Sequence, residues 1–301
     1  MFDLAVNSNF VEKLSLPFCP DQVRLDVLRL DKIHPLISGN KWFKLKYNLL
    51  EAKNQGQNTL LTFGGAYSNH IVATAAAGEI FGFQTIGIIR GEEIKELNPY
   101  LQKAKDLGMR LHFVSREAYR QKNEENFVEN LKNNFGDFYL LPEGGSNALA
   151  LKGTKEILNF LKTENLHYDF VCTCIGTGGT LAGIAEALFG ISTQILGLSV
   201  LKNASFLYQE VYKLLGQAHI KDFSSFQLLL DYHFGGYAKH KPELLDFIKN
   251  FSSETKIPLE PVYTGKLFFG IIDLLQKGFF PEKAKILLVH CGGVLNLEAY
   301  E

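Results

Sequence analysis

Short apolar runs alternate with amphipathic stretches along most of the chain. The runs Thr59–Phe63 (TLLTF), Thr85–Ile89 (TIGII), Arg110–Val114, Phe138–Leu141, Phe170–Ile175 (FVCTCI), Ile195–Val200 and Ile286–Val289 are short and rich in β-branched or aromatic residues. Runs of that length and composition predict buried strands. Between them the pattern predicts helices from near Lys41, then over Asn69–Phe81, Pro99–Asp106, Leu149–Lys162 and Leu181–Leu188. Strands that alternate with helices need crossover connections, which means an α/β fold with mostly parallel sheets. At 301 residues the chain suits two domains.

Composition narrows the functional classes. Hydrophobic residues make up 46% and charged residues 21%, an ordinary globular balance, and the net charge is −1. There is no basic surplus to recruit nucleic acid or anionic lipid. No run of roughly 18 apolar residues predicts a membrane span. The N-terminal MFDLAVNSNFVEKL lacks the basic and apolar regions of a signal peptide. The four cysteines, Cys19, Cys172, Cys174 and Cys291, complete no zinc pattern, so no metal site is expected. Reduced thiols in a cytoplasmic protein are the expectation.

Four segments carry chemistry. In SGNKWFKLKYNLLEA (Ser38–Ala52) a Gly-Asn turn opens a helix with Lys41 in its first turn. The helix dipole disfavours an ammonium ion there, and partial burial lowers the amine pKa further, which suits a Schiff-base lysine. Lys44 lies three residues on, on the same face, where it depresses Lys41 further or holds an anion. In TFGGAYSNH (Thr62–His70) a strand ends in two glycines and Ser68 stands where a helix begins, with Asn69 and His70 next. Ser68 is a normal N-cap, and the same helix start binds a carboxylate or phosphate. In IGTGGTLAGI (Ile175–Ile184), Gly176, Gly178 and Gly179 free the backbone N–H groups to wrap an anion, and Thr177 and Thr180 add hydroxyls. No lysine follows the last glycine, so this is not a Walker loop, and the dinucleotide spacing is absent. The fourth segment is the pair PVYTGK (Pro261–Lys266) and VHCGG (Val289–Gly293), with Cys291 at a strand's C-terminal edge, where open α/β sheets bind ligands.

A Schiff-base lysine, a helix start for a substrate carboxylate, a phosphate cradle and polar groups at a strand end are together the requirements of pyridoxal 5′-phosphate (PLP) acting on an amino acid. A nucleotide-binding enzyme built on GTGGT is the competing reading.

The stretches SGNKWFKL, GGAYSNH, GTGGTLAG, PVYTGK and HCGG, in that order, resemble the 1-aminocyclopropane-1-carboxylate (ACC) deaminase / D-cysteine desulfhydrase family, tryptophan-synthase β-like enzymes of PLP fold type II. The resemblance implies that Lys41 carries the cofactor and moves the substrate's protons. It implies that Asn69 binds the cofactor's phenolic oxygen and that Gly176, Thr177, Gly178, Gly179 and Thr180 hold its phosphate. Ser68, with Asn69 and His70 beside it, would hold the substrate carboxylate and also act on the substrate as a catalytic residue, and Tyr263 would approach the reacting carbons. Thr264 and Cys291 are the candidates for the pyridine nitrogen. Deaminases carry glutamate at the position of Thr264 and leucine at that of Cys291, whereas desulfhydrases carry threonine at the latter. The resemblance therefore favours a lyase/deaminase of the D-cysteine desulfhydrase type, with ACC deaminase or a PLP-binding paralogue without turnover as the alternatives. The segment Asp231–His240 (DYHFGGYAKH) departs from the family and is a candidate for reshaping specificity. A homodimer is implied. The expected architecture is two open, mostly parallel sheets with flanking helices. Residues 1–41 and 144–301 would form a large domain and residues 42–143 a small one, with PLP in the cleft between them.

Overall fold

The computed structural model describes residues 10–16, 23–93, 95–159, 161 and 165–294. The first nine residues and Cys19 lie outside this set. Two sheets organise the chain. The first has six strands, in the order β1 (Val11–Leu14), β2 (Arg24–Arg29), β10 (Lys285–His290), β7 (Phe170–Ile175), β8 (Gln194–Ser199) and β9 (Phe226–Leu229). Only β1 runs antiparallel to its neighbour. The second has four parallel strands, in the order β5 (Arg110–Val114), β4 (Gln84–Arg90), β3 (Thr59–Gly64) and β6 (Tyr139–Leu141). This is the α/β architecture of two open, mostly parallel sheets that the pattern predicts.

The central strands β3, β7, β8 and β10 are buried along nearly their whole length, as strands covered by helices on both faces must be. The helix α2 (Asn69–Phe81) is almost wholly buried, and its run of Ala75, Ala76, Ala77 and Gly78 allows it to lie close to the sheet. Ser68 starts this helix, accepting the Ile71 N–H on Oγ, and Gly82 ends it in the left-handed conformation at φ 74°. The first helix, α1 (Asn40–Asn54), packs on α6 (Ala148–Thr154) as well as on α2 and α7 (Gly179–Ala187), so it ties the two sheets together.

Some elements differ from the pattern. The helix expected over Leu149–Lys162 is α6 followed by a 3₁₀ turn at Lys155–Leu158, and part of its remainder lies outside the described residues. The helix expected from Leu181 begins two residues earlier, at Gly179. Strands β1, β2 and β9 have no counterpart among the predicted runs.

Candidate active site

The C-terminal ends of β3, β7 and β10 converge on one cleft. An inner cavity is lined by Ser38, Asn40, Lys41, Lys44, Asn69, Gly144, Cys174, Gly176, Thr177, Gly178, Thr180, Tyr263 and Cys291, among others. A wider outer vestibule adds Gly65, Ser68, His70, Arg90, Glu143, Leu201 and Tyr237. The two share Lys41, Asn69, Gly144, Gly176, Thr177 and Tyr263, so they are one continuous space. Four segments far apart in sequence meet there.

Contact between the first and last of them is at the backbone. Asn40 N–H donates to the Cys291 carbonyl (3.2 Å). The Asn40 side chain reaches the start of α7, donating from Nδ2 to Thr180 Oγ1 (2.8 Å). Lys41 is thereby fixed between HCGG and GTGGT. Burial pushes the Lys41 amine below the ordinary lysine range, opposed by the nearby Cys291 and Cys174.

Lys44 is buried and, among the described residues, has only neutral acceptors within hydrogen-bonding reach. Its ammonium donates to Gly144 O (3.0 Å), Ser146 Oγ (2.9 Å) and Thr177 Oγ1 (3.3 Å). Burial, and then the charge of Lys41, push its amine well below the usual range. A buried cation without a counter-charge is costly unless an anion joins it. Gly178 (φ 84°) caps α7, so the N–H groups of the first α7 turn open toward the cavity. A Cβ on Gly179 would lie 2.6 Å from Ser146 Oγ, so only glycine fits between these donors. The residues present therefore fit a phosphate, and the cavity as a whole fits a phosphorylated cofactor.

On the opposite wall, helix geometry leaves the N–H groups of Asn69 and His70 without intrahelical acceptors. His70 is buried, with Nε2 2.9 Å from Thr62 Oγ1. Burial, then Lys41 and Lys44, push its pKa well down, so it is neutral at pH 7. The buried atoms Ser38 Oγ and Asn69 Oδ1 have no hydrogen-bond partner among the described residues, which is what donors or acceptors awaiting a ligand look like.

At the end of β10, Cys291 lines the cavity beside Cys174. A hydrogen bond from Cys174 pushes the Cys291 thiol down, helped by Thr173 and by the two lysines, while Cys174 itself is pushed up. Thr264 is placed differently from Cys291: it is fully buried, it is absent from the cavity wall, and its hydroxyl donates to Glu260 Oε1 (3.1 Å). Glu260 was not singled out in the sequence. Its buried carboxylate also accepts the N–H groups of Val262 (2.6 Å), Tyr263 (2.9 Å) and Thr264 (2.6 Å), at the start of α10 (Thr264–Gln276). It thereby sets the direction in which Tyr263 projects. Burial of the Tyr263 phenol, with Tyr237 beside it, pushes its pKa up and keeps it protonated. Lys266 holds the Asp231–His240 segment in place, donating to His233 O (2.9 Å) and Gly236 O (2.8 Å), and so presents Tyr237 to the vestibule.

Every predicted site residue except Thr264 and Gly179 thus lines the cleft, and Gly179 lies directly behind it against Ser146. Cys174, Ser146 and Arg90 are not assigned to the site from the sequence, whereas Asn40 and Tyr237 lie in segments singled out there, SGNK and Asp231–His240, without a role of their own. The signal available for Arg90 was its place as the charged residue that ends the apolar strand TIGII.

Two open, mostly parallel sheets with a lysine, a glycine-rich turn and two helix starts in the cleft between them define a fold type II PLP enzyme. The profile of the pyridoxal-phosphate dependent enzymes matches residues 21–292, and the chain belongs to that family. The bifunctional D-cysteine desulfhydrase/ACC deaminase of Arabidopsis thaliana, a mitochondrial protein, is 31% identical over 98% of this chain and 79% of its own length. The D-cysteine desulfhydrase of Serratia proteamaculans is 27% identical over 99% of this chain and 95% of its own. Among solved structures, an ACC deaminase homologue superposes with a TM-score of 0.84 at 27% identity, covering 97% of this chain and 91% of that one. Among the described residues, no helix is long and apolar enough to cross a membrane.

Proposed function

We propose that the protein is a PLP-dependent lyase/deaminase of the D-cysteine desulfhydrase type. It converts a small amino acid to a 2-oxo acid and ammonia, with sulfide as a further product from D-cysteine. The observation that carries this reading is the placement of the Lys41 amine in one cavity, between the Lys44–Thr177–Gly178 donor set and the open start of α2. The names of the Arabidopsis and Serratia relatives support the substrate class.

PLP, when bound, supplies an electron sink for the charge left at Cα after a proton is removed. The residues of the chain do the rest. Gly176, Thr177, Gly178, Gly179, Thr180 and Lys44 hold the phosphate, and Asn69 takes the phenolic oxygen. Lys41 attaches the cofactor and, with its amine pKa lowered by burial, serves as the base at Cα. The N–H groups at Asn69 and His70, with Ser68, orient the substrate carboxylate. Tyr263, held protonated, faces the reacting carbons. Cys291 faces the ring nitrogen, while Thr264 acts behind the site by fixing Glu260. The cleft divides residues 42–143 from the two flanking segments, 1–41 and 144–301. The protein is a homodimer of a reducing compartment such as the cytoplasm, in line with the free thiols Cys172, Cys174 and Cys291.

Incubating the PLP form with D-cysteine, D-serine and ACC, and assaying the 2-oxo acid, tests the reading. Turnover of D-cysteine with sulfide release is expected. Absence of any 2-oxo acid from all three would refute it.

A further inference from the structure

The outer vestibule extends from the start of α2 to Arg90, Glu143, Leu201 and Tyr237. Its wall contains Arg90, which ends β4. A Cβ on Gly65 would come within 3.4 Å of Arg90 Nη2, so the guanidinium lies beside the turn that leads to Ser68. It also lies over the Tyr119 ring, with Cζ 5.6 Å from the centroid. Among the described residues, no carboxylate pairs with it. Glu143, on the same wall, is paired with Lys122 instead (3.4 Å). The start of α2 already supplies donors for the α-carboxylate of a substrate, and His70 is neutral. Arg90 is therefore a cation left over on the outer side of the substrate space.

We infer that Arg90 determines specificity by binding an anionic group at the far end of the substrate's side chain, so that the preferred substrates are β-substituted alanines whose leaving group ends in a carboxylate. This rests on the amino-acid reading above. A guanidinium suits the task because its planar fork binds a carboxylate through two parallel hydrogen bonds, and the half-enclosed site strengthens them. The reaction is the elimination already proposed. With S-carboxymethylcysteine, the Cα proton passes to the protein base and the Cβ–S bond breaks with its electron pair leaving on sulfur. Water then releases the nitrogen, giving thioglycolate, pyruvate and ammonia. No oxidant or reductant is needed.

The test compares S-carboxymethylcysteine with S-carbamoylmethylcysteine, a neutral molecule of the same shape, using both enantiomers of each. The wild-type holoenzyme is expected to favour the acid by tenfold or more in kcat/KM. Arg90→Ala should bring the ratio to about one, and Arg90→Lys should restore part of it, with thermal midpoint and cofactor absorbance showing that both variants are folded and loaded. A wild-type ratio near one, or a ratio that survives Arg90→Ala, overturns the inference. Calorimetric titration of the same proteins with D-glutamate and D-glutamine reads the same preference without turnover. It separates failure at Arg90 from failure of the lyase reading, which the D-cysteine assay alone decides.

Discussion

A Cβ built on Gly39 would lie 1.7 Å from the Cys291 carbonyl oxygen, and Gly39 itself has φ +67°. Both facts demand glycine where SGNK crosses HCGG, the crossing that sets Lys41 in place. Gly56 has nearly the same φ, +69°, with nothing within 4 Å of a built Cβ. Gly56→Ala should therefore cost only the left-handed backbone term, about 1 kcal/mol. Gly39→Ala should cost on the order of 3 kcal/mol or more, because overlap with backbone is added. Urea unfolding of the two variants checks the difference, and Gly39→Ala should also fail to retain PLP. Lys44 makes a second prediction at this scale. A phosphate dianion would raise its burial-lowered pKa, so binding takes up a proton. PLP affinity should then fall as pH rises from the free Lys44 pKa toward the bound one. Lys44→Met should weaken binding by about 1.5–3 kcal/mol, the worth of a hydrogen bond to a charged group, and should flatten that pH dependence. Fluorescence titration across pH reads both.

Helix α10 and the segment 231–240 are joined by one side chain. Lys266 is fully enclosed and its pKa is pushed down to about 8, chiefly by burial. Lys266→Met would leave the buried Gly236 O and the part-buried His233 O without their donor, at about 1–3 kcal/mol for the buried one. KM should rise with it, because Tyr237 loses its anchor. The pH dependence has a definite sign. Between pH 8 and the unfolded lysine value near 10.4, the unfolded chain holds a proton that the folded chain has shed, so stability rises with pH. The wild type's advantage over Lys266→Met should therefore grow from pH 7.5 to 9.5 in parallel urea titrations. It should not shrink. The elements themselves were unequally legible. Strands β3, β4, β5, β7 and β10 stand out as apolar runs, but β2 (RLDVLR) does not, because it buries a charge. Asp26 is fully enclosed there, held by Arg24 (2.8 Å) and the Tyr168 hydroxyl (2.7 Å), contacts that a local pattern cannot reveal. The edge strand β9 is short and only half covered, so it leaves a weak signal. The site divides in the same way. Residues whose chemistry comes from a local turn, such as Ser68 or Gly178, are visible in the chain. Tyr237 and Glu260 acquire their meaning from partners on other segments, and Lys44, legible as a second cation on the Lys41 face, finds its three acceptors there too.

At the scale of the whole molecule, the question is which reaction the assembled cleft favours. Glu260 is a buried carboxylate close to the HCGG turn: a Cβ on Gly293 would lie 3.5 Å from its Cγ. Its two oxygens are already bound by three N–H groups and the Thr264 hydroxyl, and it lines neither cavity. The groups that do reach the cavity from the ends of β7 and β10 are the thiols Cys174 and Cys291. A carboxylate against a pyridine nitrogen keeps it protonated and the ring strongly electron-withdrawing. A sulfur partner does this less well, even with Cys291 shifted toward thiolate by Cys174 and the lysines. Elimination from D-cysteine expels a good leaving group and tolerates a weaker sink. Opening the cyclopropane ring of ACC has no such leaving group and depends on the sink throughout. D-Cysteine should therefore be turned over faster than ACC by the same preparation. Cys291→Ser should slow D-cysteine turnover, since the hydroxyl removes the thiolate character while nearly preserving size. Steady-state rates on both substrates at saturating PLP decide the matter. Equal or reversed rates would mean that the group facing the ring nitrogen does not set the choice of reaction, and that the answer lies in the vestibule walls around Arg90 and Tyr237.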